Sequence, residues 1–181
     1  MSAIEIDRSS FGVLTAPATL TLQRTLPGPI ERVWGFIVDS DLRQQWLAAG
    51  ELTPEPGAAF ELVWRNDALS ASPDERPPGF PEESRATCRV TEVEPLRKLG
   101  FHWPGVGDVT FELRPVGDQG ERVLLTVTHR QLPDRQMTVM VGAGWHMHCD
   151  ILVARVAGVR PASFWRGWVR LRDEYERALA A

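Results

Sequence analysis

The sequence lacks the features of a secreted or membrane-inserted protein. Its two cysteines, Cys88 and Cys149, are too few for a disulfide framework, so we predict buried thiols in a reducing compartment. No apolar run approaches the roughly 20 residues that a membrane-spanning helix needs. The polar, mixed-charge start of the chain is not typical of a signal peptide. We therefore expect a cytoplasmic protein with no membrane partner.

The chain also lacks an excess of positive charge. Its 24 acidic and 20 basic residues give a formal net charge of -4. No basic face or lysine-rich stripe is present, so neither nucleic acid nor an anionic membrane is an expected partner. Residues 66–83 carry the whole imbalance, since they hold five acids and one base. With several prolines and little to bury, this segment is predicted to form a long mobile loop that could serve as a lid.

What the sequence does contain is enough apolar material for a folded core. The 181 residues are 43% hydrophobic and 24% charged, which is ordinary for a globular protein. A chain of this length is expected to form one domain that buries roughly 70% of its extended-chain surface.

The first predicted elements are a strand and two short helices. Alternating leucines predict a strand at residues 19–26. Apolar residues at helical spacing predict a helix that begins at about Pro29. A second short helix is predicted to begin at Ser40 or Asp41, which are both good N-caps, and to end at Gly50.

Five further strands and two helices are predicted to follow. Alternation of apolar and polar residues is typical of antiparallel strands with one packed face and one wet face. The runs that show it are residues 59–65, 85–93, 98–103, 109–114 and 122–130. A long helix is predicted at residues 135–157, with Gly158 just beyond its end. A final amphipathic helix is predicted from Pro161 to about Leu179.

This order of elements, together with several short segments, resembles the START-related (SRPBCC, Bet v-like) superfamily. Within it, the chain is most similar to the branch named for the heat-shock-protein-90 ATPase activator (Aha-type). The resemblance extends over residues 19–158. The segments that carry it are LPGPIERVW at 26–34, DLRQQWL at 41–47, VTFEL at 109–113, LLTVTH at 124–129 and GW at 144–145.

The resemblance implies an α+β helix-grip fold. In this fold a curved antiparallel sheet, here expected to be six-stranded, wraps around a long C-terminal helix, and two short helices follow the first strand. The chain would form a single START-like domain over residues 1–181. Its additions would be an N-terminal extension at residues 1–17 and a further C-terminal helix at residues 161–181.

A sheet that curves around a helix need not fill its concave side. The inward-facing residues and the resemblance together predict a cavity for a small apolar or aromatic molecule, with no cofactor. The side chains expected to line the ligand site are Phe60, Leu62, Trp64, Cys88, Val90, Phe101, Trp103, Phe111, Val127, His129, Trp145, His148, Cys149 and Leu152.

Two glycines, Gly142 and Gly144, lie near the start of the long predicted helix. A glycine in a helix interior costs about 1 kcal/mol relative to alanine. They therefore indicate either a close backbone approach to the sheet or space left for a guest molecule. The alternative is that the helix begins later, near Gly144.

Four histidines are the candidates for chemistry, but they do not form a metal site. His146 and His148 are two positions apart, so on a helix their side chains point about 200° apart. No HExxH or CxxC motif is present, and Cys149 has no activating cation beside it. We therefore expect no metal ion and no nucleophilic triad.

His129 and His148 are both expected to face the cavity. They could act as a general acid and base in a cyclase- or hydratase-like reaction. The alternative, which we favour, is two core histidines with hydrogen bonds to the backbone or to each other. His146 and Asp150 are predicted to pair on the outer face of the helix, and His102 is predicted to face solvent.

The final helix carries a wide apolar stripe, which includes Trp165, Trp168 and Tyr175. The stripe is expected to dock within the chain, with a homodimer contact nearby. The tryptophans are expected to pack in the core rather than to stack on nucleic acid.

The cavity, the histidines and the family resemblance leave three functions open. In order of preference, they are a binding protein for a small hydrophobic ligand, an acid–base enzyme, and a co-chaperone.

Overall fold

The computed structural model describes residues 10–179. Residues 1–9 of the predicted extension and residues 180–181 of the predicted last helix lie outside the described residues. In chain order the elements are β1 (Val13–Ala16), β2 (Thr19–Pro27), α1 (Ile30–Val38), α2 (Ser40–Arg43), β3 (Ala59–Trp64), β4 (Ser84–Glu94), β5 (Lys98–Trp103), β6 (Gly107–Val116), β7 (Arg122–Arg130), α3 (Arg135–Ala157) and α4 (Phe164–Ala178).

The sheet is antiparallel and has the order β1-β2-β7-β6-β5-β4-β3. This α+β arrangement confirms the predicted helix-grip fold. Within residues 10–179 the sheet has seven strands, so the prediction of six was wrong by one. The missed strand is β1, a four-residue edge strand whose residues are all exposed. An edge strand without a buried face has no alternation for a sequence pattern to reveal.

The register of the sheet brings the predicted inward positions together. Val90 on β4 pairs with Phe101 on β5, and Phe111 on β6 pairs with Val127 on β7. All four side chains are buried. The alternation pattern therefore identified the concave face of the sheet correctly over these strands.

Helices α1 and α2 close one end of the sheet. Asp39 caps α2, because its side chain accepts a hydrogen bond from the backbone N–H of Leu42 at 3.0 Å. This cap lies one residue earlier than predicted. Trp46, just after α2, is fully buried, and its indole N–H donates to the carbonyl of Phe36 at 2.8 Å. That contact holds the chain between α2 and β3 against α1.

The long helix α3 lies across the concave face of the sheet. Asp134 caps its first turn by accepting from the backbone N–H of Met137 at 2.7 Å. Gly158 follows its last residue with a φ of 72°, the left-handed conformation that favours glycine. Gly142 and Gly144 therefore lie in the helix interior, and the alternative of a later start was wrong.

Helix α4 packs against α3 on the side away from the sheet. Its apolar stripe is buried, which confirms that it docks within the chain; the stripe consists of Phe164, Trp165, Trp168, Leu171 and Tyr175. Sandwiched between the sheet and α4, α3 is buried on both sides. This explains why its apolar residues do not form one narrow stripe.

The acidic segment 66–83 lies against the start of α4. Two short 3-10 turns, Asn66–Leu69 and Pro73–Glu75, give it local structure. The indole N–H of Trp165 donates to the carboxylate of Asp67 at 2.8 Å. The backbone N–H of Ala71 donates to the hydroxyl of Ser163 at 3.1 Å. Hydrogen bonds from the first half of this loop thus attach it to the start of α4, although its sequence predicted little packing.

Within residues 10–179, no helix combines the length and the apolar character needed to cross a membrane.

Candidate functional site

A cavity of about 270 Å³ lies between the N-terminal half of α3, the neighbouring ends of β3, β4 and β5, and the start of α4. The loop 66–83 supplies its outer wall through Phe80, Pro81 and Glu82. Most of the remaining wall is apolar or aromatic. That composition, with a few polar groups, is typical of small-molecule sites.

Two tryptophans from the sheet form one wall of the cavity. The indole rings of Trp64 and Trp103 stack with centroids 4.9 Å apart and an interplanar angle of 19°. Both side chains are only half-buried. Both line the cavity, where a flat apolar guest can cover the surface that they leave exposed.

The facing wall is a stripe along α3. Met137, Met140, Val141, Gly144 and His148 recur at helical spacing and all line the cavity. A Cβ placed on Gly144 meets nothing within 4 Å. The missing side chain therefore leaves open space at the centre of this wall.

His148 is a buried polar side chain in the cavity wall. Its Nδ1 lies 2.7 Å from the carbonyl oxygen of Trp46, and its ring packs against Phe164 at a centroid distance of 4.5 Å. A carbonyl oxygen only accepts, so Nδ1 carries the proton and Nε2 is an unprotonated acceptor. Burial lowers the pKa of His148 to about 4, which keeps the ring neutral at pH 7.

His129 does not share this cavity. The indole N–H of Trp145 donates to its Nδ1 at 3.1 Å, and its Nε2–H donates to the carbonyl of Val106 at 3.1 Å. Both ring nitrogens are thus used in structural contacts. Burial lowers the pKa of His129 to about 4 as well. The geometry leaves His129 no free nitrogen for acid–base chemistry.

Four of the predicted ligand-site residues line the cavity: Trp64, Trp103, Trp145 and His148. The other ten do not line it and are buried in the core. They are Phe60, Leu62, Cys88, Val90, Phe101, Phe111, Val127, His129, Cys149 and Leu152.

The expected space beside residues 145–152 is filled by aromatic rings. Phe101 packs edge-on against Phe60 at 5.6 Å, and Trp145 packs edge-on against Phe111 at 5.6 Å. Trp46 also reaches Phe111 at 6.1 Å. Because these rings fill the middle of the concave face, the open volume lies nearer the start of α3 than predicted.

The walls that α4, the loop 66–83 and the first turns of α3 contribute were not predicted from the sequence. Phe164, Trp165 and Trp168 belong to the docking stripe of α4, yet all three also line the cavity. The stripe on α3 was readable as an i, i+3, i+4, i+7 pattern from Met137 to Gly144. No periodic pattern in the loop 66–83 indicates that Phe80 lines the cavity.

The remaining histidines differ from each other in burial. His102 is exposed and pairs with Asp108 at 2.7 Å, as expected for a solvent-facing side chain. His146 does approach Asp150 at 3.4 Å, but the prediction of an outer-face pair was wrong. The His146 ring is buried and contacts the hydroxyl of Tyr175 at 3.2 Å, because α4 covers this face of α3.

The two cysteines are free and buried, as predicted. Burial raises the pKa of both thiols to about 12, so neither is a reactive thiolate at neutral pH.

A comparison with family models gives one match. Residues 27–157 match the family described as activator of Hsp90 ATPase homolog 1-like protein. No curated protein sequence matches the chain.

Several solved structures are similar to this chain. A protein from Bordetella parapertussis, solved by NMR, is 36% identical, with a TM-score of 0.74, and covers 91% of this chain and 88% of its own. CalU16 from Micromonospora echinospora is 21% identical, with a TM-score of 0.65; the match covers 90% of this chain and 89% of CalU16. An Aha1 dimer from Colwellia psychrerythraea is 12% identical, with a TM-score of 0.57; the match covers 76% of this chain and 95% of the Aha1 chain.

Proposed function

The chain belongs to the activator of Hsp90 ATPase homolog 1-like family within the START-related superfamily, and from this premise we propose that it binds a small apolar or aromatic molecule. The binding site is the cavity between α3, the sheet and α4. The observation that carries the proposal is the stacked pair Trp64 and Trp103, which faces a helix wall left open at Gly144.

The size of the cavity limits the ligand. An apolar cavity of roughly 150 Å³ can hold benzene, and the volume here is about 270 Å³. The space therefore suits a molecule of about two fused rings. Burial of apolar ligand surface would supply most of the affinity, at roughly 25 cal/mol per Å², and the flat Trp64–Trp103 stack favours a planar guest.

Naphthalene is a suitable probe because it is flat, uncharged and of this size. A ligand that binds only the folded state raises the thermal midpoint, and the effect grows with ligand concentration. We expect naphthalene to raise the midpoint of the wild-type protein. We expect no increase in the Gly144→Phe variant, whose added ring would occupy the cavity.

Gly144→Ala is the matched control at the same position. It also removes the glycine but adds only a methyl group, so it should still respond to naphthalene. Circular dichroism of the ligand-free variants checks that each is folded. An equal response in the wild-type and Gly144→Phe proteins, or no response in the wild-type protein, would refute the proposed site.

No observation favours an acid–base enzyme. That alternative needs two free imidazoles on one cavity, and of the histidines within residues 10–179 only His148 lines it. A cytoplasmic location and a co-chaperone role stay predictions. A homodimer also stays a prediction, but the apolar stripe of α4 is buried against α3 and is not available as its contact surface.

A further inference from the structure

A buried side chain of the cavity wall, His148, carries a hydrogen-bond acceptor that a guest can use. Within residues 10–179, Nε2 of His148 has no hydrogen-bond partner. It is also not among the fully buried side-chain atoms that lack a partner, so some of its surface is accessible. His148 as a whole is only 6% exposed and lines the cavity. Because the carbonyl of Trp46 covers Nδ1 and Phe164 covers one face of the ring, the edge that carries Nε2 is the polar part of the ring left to face the cavity.

The orientation of this acceptor is fixed by its neighbours. The carbonyl of Trp46 accepts from Nδ1 on one edge of the ring, and Phe164 covers a face of the ring. Trp46 is itself fully buried and held by its bond to the Phe36 carbonyl. A 180° flip of the imidazole ring would break the hydrogen bond between Nδ1 and the carbonyl of Trp46.

Among residues 10–179, the cavity wall contains one basic side chain, that of Arg85, which is already paired. The neighbouring indole N–H of Trp145 is already used by His129. Arg85 has 52% of its side chain exposed, and it pairs with Glu83 and Glu61. A carboxylate placed beside Nε2 would meet the lone pair of this nitrogen, and the cation on the cavity wall is already paired with carboxylates.

On the premise that the proposed binding site is correct, we propose that its ligand is an uncharged aromatic molecule with an O–H or N–H group, such as a phenol or an indole-type ring, which donates to Nε2 of His148. The ring of the ligand lies against Trp64 and Trp103, and its donor points toward α3. His148 thereby becomes the residue that determines specificity.

A ligand series on the wild-type protein tests this without any mutation. We expect 2-naphthol to bind at least about fivefold more tightly than naphthalene or 2-methoxynaphthalene, because only the naphthol has a donor; a neutral hydrogen bond of ordinary strength gives such a ratio. 2-Naphthoate should bind more weakly than naphthalene. Isothermal titration calorimetry at pH 7.5 gives the three ratios.

The outcomes separate this inference from the proposed function. If naphthalene binds but 2-naphthol and its methyl ether bind equally, or if 2-naphthoate binds most tightly, the role of His148 is refuted and the cavity site stands. If none of the four compounds binds, the proposed function fails and this inference fails with it.

Two further measurements locate the effect at His148. In the His148→Phe variant the ratio between 2-naphthol and 2-methoxynaphthalene should fall to about one, while naphthalene binding persists. If this variant does not fold, ¹⁵N NMR of the wild-type protein replaces it. The unprotonated Nε2 resonance of His148 should move on addition of 2-naphthol and not on addition of the methyl ether; the absence of this difference would refute the contact.

Discussion

Gly142 and Gly144 lie two residues apart on α3, but Gly142 is in a tightly packed position and Gly144 borders open space. A Cβ on Gly142 would lie 3.0 Å from the ring of Tyr175, whereas a Cβ on Gly144 would have nothing within 4 Å. One glycine therefore permits α4 to pack closely, and the other leaves the cavity open. The same residue type serves two purposes on the two sides of one helix.

Alanine substitutions should separate these two roles by the sign of their effect. Gly144→Ala is expected to raise the free energy of unfolding by up to about 1 kcal/mol, since it improves helix propensity without a clash. Gly142→Ala is expected to lower it by about 1–2 kcal/mol, because overpacking against Tyr175 outweighs the same gain. Urea denaturation measures both, and effects of equal sign would contradict the assignment.

Tyr175→Phe should destabilise the protein although it keeps the ring. The Tyr175 hydroxyl accepts from the backbone N–H of Gly12 at 2.6 Å and contacts Nδ1 of His146 at 3.2 Å, both in the interior. Leaving buried polar groups without partners costs about 1–3 kcal/mol. Thr15→Val, which removes an exposed bond between Thr15 and Thr21, is the control and should change the free energy of unfolding by less than about 0.5 kcal/mol.

Acidification should destabilise the fold between about pH 6.5 and pH 4. Burial lowers the pKa values of His129, His146 and His148 to about 4, from an ordinary 6.5. In this window the unfolded chain binds more protons than the folded chain, so the free energy of unfolding falls as the pH falls. Above about pH 6.5 these histidines are neutral in both states, and the free energy of unfolding is not reduced by them.

Three such groups give a slope of up to about 4 kcal/mol per pH unit. Urea denaturation at a series of pH values measures it. His146→Gln should reduce the slope by about a third, whatever its effect on stability at pH 7.5. A free energy of unfolding that stays level from pH 7 to pH 5 would contradict the buried, neutral state of these rings.

Phe80→Ala should open the outer wall of the cavity. Phe80 packs against Trp165 at 5.2 Å and Trp168 at 5.0 Å, and it lines the cavity from the loop 66–83. Its removal is expected to increase the dissociation rate of naphthalene severalfold, as followed by stopped-flow tryptophan fluorescence. Pro78→Ala, at an exposed position of the same loop, should leave the rate unchanged; identical rates for both variants would show that Phe80 is not the barrier.

Both thiols should be protected from reaction in the folded protein. Cys88 and Cys149 are almost fully buried, and burial raises their pKa to about 12. Ellman's reagent at pH 8 should react with neither thiol in buffer and with both in 6 M guanidinium chloride. Rapid reaction of one thiol without denaturant would show that its region opens more readily than the packing indicates.

The alternation of apolar residues predicted the concave face of the sheet well, but it could not predict which part of that face is empty. Phe101 and Trp103 are two positions apart on β5 and carry the same signal. Phe101 is buried among Phe60 and Phe111, whereas Trp103 stacks on Trp64 beside the cavity. The difference arises from neighbours on other strands and helices, which no local pattern contains.

The histidines show the same limit. Spacing on a helix correctly separated His146 from His148, because i and i+2 positions point apart. It could not show that α4 would cover His146, nor that the carbonyl of Trp46, 102 positions earlier, would orient His148. These contacts depend on packing between elements that are remote in the sequence.

Short matching segments of the sequence identified the family. The sequence by itself also determined the order of the helices and of β2 to β7, the inward faces of β3 to β7, and the long α3 that ends just before Gly158. Those features depend on local periodicity, caps and turns, which act over a few residues. Only the tertiary structure decided where the volume remains open, because a cavity is the space that several packed elements fail to fill. The positions of Gly144, Trp103 and His148 around that space acquire meaning only when α3, α4, the loop 66–83 and the sheet are assembled.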